Sequence, residues 1–310
     1  MIGDKKIVVV TPAGRKKYME ILIKYILREK KVVDEYRIWV NTKNPKDIAY
    51  FKELASKHKG FITLDERFME EEECGTNFNI HRFFDKCIDE DTVYIRLDDD
   101  MVWLQPNCIE NLAKYRIENQ KPFLIYGTII NNGVVDSVLQ NFGHYSNSDY
   151  FEYHCTNTIA FTNPSVCEDK HRYMLNKYLK KLKTPESMFN GWIVRDYSRV
   201  SINCISWLGS TFKEFEGKVG KDEEQWLSSD YPKEIKTPNM IFGGAYCSHF
   251  AFHPQREYMD KTIILDEYKQ LSEYLDINLK DYDFDKIQWN KLSNEVKLFI
   301  YQVLKENNSL

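Results

Sequence analysis

The stretch Val93-Tyr94-Ile95-Arg96-Leu97-Asp98-Asp99-Asp100-Met101-Val102-Trp103 joins an apolar run to three consecutive carboxylates and then returns to apolar residues. Thr92 to Leu97 reads as a β-strand, because it is short, apolar and rich in β-branched and aromatic side chains. The charges at its carboxyl end repel one another unless a cation, solvent or a basic partner offsets them.

Upstream, two periodicities alternate. Lys6 to Thr11 is a continuous β-branched run, the pattern of a strand buried on both faces, and it stops at Pro12-Ala13-Gly14. Tyr18, Ile21, Leu22, Tyr25 and Ile26 then recur at helical spacing within Arg15 to Arg28. Tyr36 to Val40 is predicted as a strand, Pro45 to His58 as a helix, Phe61 to Leu64 as a strand and Phe78 to Ile88 as a helix. This order predicts an α/β fold, a mainly parallel sheet with helices on both faces. In such sheets the ligand crevice lies outside the carboxyl ends of the strands, so Thr11 to Arg15 and Asp98 to Asp100 are expected to share it.

Downstream, Pro106 to Asn119 reads as a helix and Pro122 to Ile130 as a strand. Asn131 to Asn157 shows no sustained period and reads as a long functional loop or a flexible lid. A helix is expected around Val166 to Lys183, mixed strands and loops from Val200 to Trp207, and an apolar segment from Met240 to Phe252. Leu265 to Leu310 carries helical spacing broken at Asp281 to Asp285, and predicts a C-terminal helical extension.

The 310 residues suffice for one large domain or two small ones, and 29% charged residues suit an ordinary globular chain. A net charge of −4 excludes an overall basic field for nucleic acid, although Lys177 to Lys183 offers a local basic stretch. Seven scattered cysteines without a C-x-x-C spacing predict free thiols in a reducing compartment. No apolar run approaches the roughly 18 residues of a membrane span, and the N-terminal run Ile7 to Val10 is too short for a signal segment. The expectation is a cytoplasmic protein.

Carboxylate oxygens at the density of Asp98 to Asp100 suit Mg²⁺ or Mn²⁺, ions that complete their shell with substrate phosphates and water. The sequence here resembles the GT-A-fold glycosyltransferases, which carry a D-x-D motif at the end of a central strand of a Rossmann-type nucleotide-binding sheet. The resemblance implies that Asp100 ligates a divalent ion bridging a nucleotide-sugar diphosphate, and that Asp98 contacts the ion or the ribose. It further implies a catalytic domain over 1–260, with a nucleotide-sugar half over about 1–130 and an acceptor half over about 131–260; it does not account for the helical extension over 261–310.

Gly243-Gly244-Ala245-Tyr246-Cys247-Ser248-His249-Phe250-Ala251-Phe252-His253-Pro254-Gln255-Arg256 is the second segment that fits the resemblance. By it, a late histidine adds a metal ligand, His249 preferred and His253 the alternative; Arg256 is open to a diphosphate or to a surface ion pair. In Lys221-Asp222-Glu223-Glu224-Gln225 the resemblance implies a general base of an inverting transfer, Glu223 first, with Asp222 and Glu224 as alternatives. Asp222 and Gln225 also fit a capping box, so Asp222 is expected to cap a helix while a neighbouring acid reaches the acceptor.

The same resemblance places Thr11, Pro12, Arg15, Asn41 and Arg82, together with Asp98 and Asp99, at the donor nucleotide, with Thr42, Asn77 and His81 nearby. Tyr145, Tyr150, Phe151, Tyr153, Trp192 and Trp207 are candidates for a sugar-stacking wall. The expected partners are a nucleotide-diphosphate sugar, a UDP-sugar favoured, and a glycan, lipid-linked or other hydroxyl acceptor, with a nucleic-acid acceptor left open. Two other classes compete: a metal-dependent sugar nucleotidylyltransferase or phosphohydrolase, and a non-catalytic carbohydrate-binding module. Thr11 to Arg15 lacks both G-x-G-x-x-G and G-x-x-x-x-G-K-[ST], which argues against dinucleotide dehydrogenases and P-loop enzymes.

Overall fold

The computed structural model of the chain describes residues 1–144, 159–179, 183 and 185–274. Its amino-terminal half alternates strand and helix as the periodicity predicts: β1 (Lys6–Ala13), α1 (Lys16–Arg28), β2 (Glu35–Val40), α2 (Pro45–Lys57), β3 (Ile62–Asp65) and, after a 3₁₀ helix over Asn77–Lys86, β4 (Thr92–Leu97). Strand β5 (Met101–Leu104) follows the three aspartates directly. Then come α3 (Cys108–Glu118), β6 (Ile125–Ile130), α4 (Gly133–Asn141), α5 (Ile159–Thr162) and α6 (Pro164–Lys177). The last part holds β7 (Gly191–Val194), β8 (Cys204–Leu208), α7 (Gly209–Lys213), α8 (Glu223–Gln225), α9 (Tyr231–Glu234), β9 (Asn239–His249), α10 (His253–Met259) and α11 (Ile264–Tyr274). A π-helical turn, Trp226–Asp230, joins α8 to α9.

The strands form one sheet in the order β3-β2-β1-β4-β8-β6-β9-β5, with β7 also paired to β9. β3, β2, β1 and β4 are mutually parallel, so the first half is a Rossmann-like α/β layer. Every residue of β4, β6 and β8 is buried, so both faces of the central sheet are covered. The mainly parallel expectation is corrected on the other side. β8 inserts antiparallel between β4 and β6, and β5 and β7 both run antiparallel to β9.

β9 changes partner along its length. Between the pairs Tyr126↔Ile241 and Thr128↔Tyr246 it bulges away from β6; its first part pairs with β7 and its last part with β5. Gly243 belongs to this bulge because a Cβ there would fall 1.8 Å from the Phe189 carbonyl oxygen. The bulge is held from α3 and its approach: Gln105 Nε2 and Asn111 Nδ2 donate to the Gly244 carbonyl at 2.8 and 3.1 Å.

Two local expectations change. Asn131 to Asn157 is not irregular throughout: Val134, Val135, Val138 and Leu139 recur at helical spacing, and they bury α4. Asn132 caps it by accepting from Val135 N–H at 3.4 Å. Its polar Asn, Gly and Ser residues conceal that spacing. The helix predicted over Phe78 to Ile88 is a 3₁₀ segment whose Phe83 and Phe84 pack against Trp39. Trp207 lies fully buried against Tyr94 and Phe212, which removes it from any exposed stacking wall. Tyr145, Tyr150, Phe151, Tyr153, Cys155 and the segment 275–310 lie outside the described residues. The described cysteines are free and buried. Helix α11 packs on α1, β5 and α6, and no described helix is long and apolar enough to cross a membrane.

Candidate metal and donor cleft

Backbone position brings the three aspartates together and side-chain partners then sort them. Asp98 N–H donates to the Asn203 carbonyl at 2.9 Å and the turn closes with Met101 N–H on the Asp98 carbonyl at 3.2 Å. The aspartates line a cleft of about 710 Å³ at the carboxyl ends of β1, β2 and β4. Asp99 points to the β1–α1 turn, where its carboxylate accepts from Gly14 N–H at 3.0 Å and is gripped by the Arg15 guanidinium. That ties two loops, and Asp100 shares the same guanidinium.

Asp98, Asp100 and His249 each offer one ligand atom, and these atoms lie within 4.8 Å of one another. His249 ends β9 opposite Met101, one residue past Asp100, so the β5–β9 ladder sets the approach. Its Nδ1 faces the Asn131 carbonyl at 3.4 Å, which turns Nε2 toward Asp100 Oδ1, also at 3.4 Å. Asp98 is oriented by Asn203 Nδ2 at 2.9 Å, and Asn203 by Asn132 Nδ2 at 3.2 Å. Two carboxylate oxygens and one imidazole nitrogen are a donor set that fits a divalent cation. His253, the alternative, is exposed on the rim at the start of α10.

The charges are balanced inside the protein. Arg96 holds Asp98 through Nε and Nη2 at 3.1 and 2.9 Å. Arg15 reaches Asp100 at 3.0 Å as well as Asp99, and Arg256 Nη2 reaches Asp100 at 3.2 Å. Burial pushes the Asp100 carboxyl upward, yet Arg15, His249 and Arg256 together hold it well below the usual carboxylate range.

Across the cleft the acids 222–224 take different roles. Asp222 caps α8, accepting from Gln225 N–H at 3.1 Å, and it pairs with Arg199 at 2.9 and 3.2 Å. The Gln225 side chain goes to Asp230 at 2.7 Å, so the capping box is half made. Glu224 also pairs with Arg199, at 2.9 Å. Glu223 is buried on the cleft wall; burial pushes its carboxyl up to about 7, opposed by Arg96.

The other residues expected at the donor divide. Pro12, Arg15, Asn41, Thr42 and Asn77 line the cleft. Asn41 fastens the end of β2 to the loop at 75–79, accepting from Gly75 N–H at 2.9 Å and Asn79 Nδ2 at 3.1 Å and donating to the Thr76 carbonyl at 2.9 Å. Thr11 is buried inside β1, and Arg82 leans over the Phe68 ring while pairing with Glu71, so neither is part of the wall. Arg96, Arg199 and Asn203 are wall residues that sequence reasoning did not single out. Arg96 had a signal: a charged residue inside an otherwise apolar strand needs a partner.

No protein family's sequence pattern matches the chain, and no curated protein is similar to it in sequence. Among solved structures, a CMP:2-keto-3-deoxy-manno-octonic acid synthetase complexed with CTP aligns at 12% identity over 79% of this chain and 90% of its own, with a TM-score of 0.40. Mannosyl-3-phosphoglycerate synthase from Rubrobacter xylanophilus aligns at 10% identity over 40% of this chain and 41% of its own, with a TM-score of 0.30. A mycobacterial protein aligns at 16% identity over the same shares, with a TM-score of 0.31. The chain thus spans less than half the length of two of these three proteins. Likeness at this level carries no information on the reaction.

Proposed function

We propose that the chain is a metal-dependent glycosyltransferase that moves a sugar from a nucleotide-diphosphate donor, a UDP-sugar favoured, to a hydroxyl acceptor with inversion. The observation that carries the reading is the convergence of Asp98, Asp100 and His249 on one side of a cleft whose other wall holds a buried acid, Glu223.

In this reading Asp98, Asp100 and His249 hold Mn²⁺ or Mg²⁺. The bound ion supplies Lewis-acid stabilisation of the charge that grows on the departing diphosphate. Arg15 and Arg256 bind diphosphate oxygens, and Pro12 and Asn41 border the space for the nucleoside. Glu223 accepts the proton from the acceptor hydroxyl. Burial suits it to this task, because a base that titrates near neutral pH combines ionisation with useful basicity. Arg96 orients both carboxylates that it touches, Asp98 and Glu223. Asp222 and Glu224 serve Arg199 and the start of α8 instead.

The nucleotidyl-transfer alternative wants backbone N–H groups free for a triphosphate after the first strand. Here the Gly14 N–H is spent on Asp99.

The test is a thermal-shift panel of UDP-, GDP-, CMP- and TDP-sugars with Mn²⁺, Mg²⁺ or chelator, followed by product analysis with the donor that binds. A cation-requiring rise with one donor and sugar transfer to a hydroxyl are expected. Pyrophosphate release from a nucleoside triphosphate and a sugar phosphate, or no cation-dependent donor binding, overturns the reading.

A further inference from the structure

The cleft holds Asp98, Asp99 and Asp100, and each has an arginine partner: Arg96 on Asp98, Arg15 on Asp99 and Asp100, and Arg256 on Asp100. Within the protein the carboxylates are therefore compensated by guanidinium charge. Asp99 and Asp100 are 3% and 1% exposed, so little solvent screens these pairs. A divalent ion arriving alone meets a site that is already neutral, and brings two charges with nothing to balance them. A diphosphate arriving alone meets guanidinium groups already engaged by carboxylates.

Arg256 has the freedom to resolve this. Its Nη2 is divided between Asp100 at 3.2 Å and the Ala251 carbonyl at 3.1 Å. Its Nε is buried and has no hydrogen-bond partner among the described residues, a donor left unused on the wall of the cleft. The side chain projects from α10, a short surface helix, and is part exposed.

Resting on the glycosyltransferase reading, we infer that Arg256, with Arg15, is an internal counter-ion of Asp100 which the cation displaces and the donor diphosphate then captures. Cation and diphosphate bind as a pair, and neither binds tightly by itself. The two charges that the cation adds are balanced by the diphosphate, and the guanidinium released from Asp100 moves onto phosphate oxygens. The device makes the site selective for a donor that carries its own negative charge. It also keeps Asp100 from holding an ion between turnovers.

The coupling is measured by calorimetry on the full chain. Mn²⁺ is titrated with and without the nucleoside diphosphate (UDP, GDP or CDP) that gives the largest cation-dependent thermal shift. That nucleotide is titrated with Mn²⁺ and with chelator. Linkage requires the same factor in both directions. Wild type is expected to bind each ligand roughly tenfold or more tightly in the presence of the other, within the usual span of coupling. Arg256→Met is expected to bind Mn²⁺ alone more tightly than wild type and to lose most of the coupling, whereas Arg256→Lys keeps the charge and retains most of it. Circular-dichroism melts of both variants, with Arg256→Gln as a third, separate these effects from misfolding. Undiminished coupling in Arg256→Met overturns the inference and leaves the proposed function standing, whereas equal Mn²⁺ affinity with and without nucleotide in wild type means, by linkage, donor binding without cation dependence and removes both. Failure of Mn²⁺ and every nucleotide to bind together, or binding unchanged in Asp100→Asn, removes the proposed function itself and the inference with it.

Discussion

Glu223 Oε1 lies 3.7 Å from Arg96 Nη1, while the same guanidinium grips Asp98 through its other two nitrogens. One buried strand residue thus spans the space between the candidate ion site and the candidate base. A truncation at Arg96 is expected to disturb both, because it leaves two partly or wholly buried carboxylates without their cation.

The Glu223 carboxyl, pushed up by burial to about 7, gives a pH signature. The proposed base acts ionised, so turnover rises as pH increases through about 7, and Glu223→Gln loses on the order of 10² to 10⁴-fold. Stability moves the opposite way. A carboxyl raised above its ordinary 4.5 contributes stability that is fully present below that value and lost as pH rises through about 7. Glu223→Gln should therefore gain on wild type between pH 5 and 8, by up to about 3 kcal/mol. Urea melts at both pH values read this without any substrate, and parallel curves would refute the raised value.

Asp100→Asn and His249→Ala each remove one donor atom from the proposed ion site. Both are expected to abolish the Mn²⁺-dependent rise in melting temperature, a stabilisation of about 2.7 kcal/mol at a hundredfold excess over Kd. His253→Ala should keep that rise, since His253 sits outside the group of three. The reverse ranking of the two histidines would assign the ligand to the rim.

Glu29, just past the end of α1, accepts from Ile109 and Glu110 N–H at 3.2 and 2.8 Å, and so caps α3 from a distant part of the chain. Glu29→Ala leaves those first-turn donors buried without a partner and should cost about 1–2 kcal/mol in denaturant unfolding. A change under about 0.3 kcal/mol would show that another group takes over.

Lys170 and Asp136 form an ion pair 2.6 Å long with both side chains almost fully buried. Lys170→Met takes the cation away from a buried carboxylate and is expected to destabilise by about 3–5 kcal/mol. Adding Asp136→Asn should recover much of that loss, and a double variant no better than the single one would place the cost in packing rather than charge.

Local pattern carried the first half of the fold. Lys6 to Thr11 and Thr92 to Leu97 are legible as strands because a parallel strand buried on both faces is almost continuously apolar. β5 and β7 were not legible: each is four residues long and pairs with β9 across a long sequence separation. In the cleft, the aspartates stood out by residue type and by their place at a strand end, and His249 only through the resemblance. The Arg256–Asp100 and Arg199–Asp222 pairs did not, since no local spacing reports a contact between residues 156 or 23 positions apart. Sorting the acids 222–224 needed the direction of each side chain, which only the turn into α8 fixes.

The pairing Met101↔His249 has a consequence for how the molecule is made. Asp100 and His249 meet only when that rung of the ladder has closed, and closing it joins segments far apart along the chain. Such non-local pairing is a slow step in folding. A slip of one residue would turn His249 to the opposite face of the sheet. On the proposed function, cation affinity is therefore a reporter of correct register: a chain that has collapsed with the wrong alignment retains its strands and loses the proposed ion site.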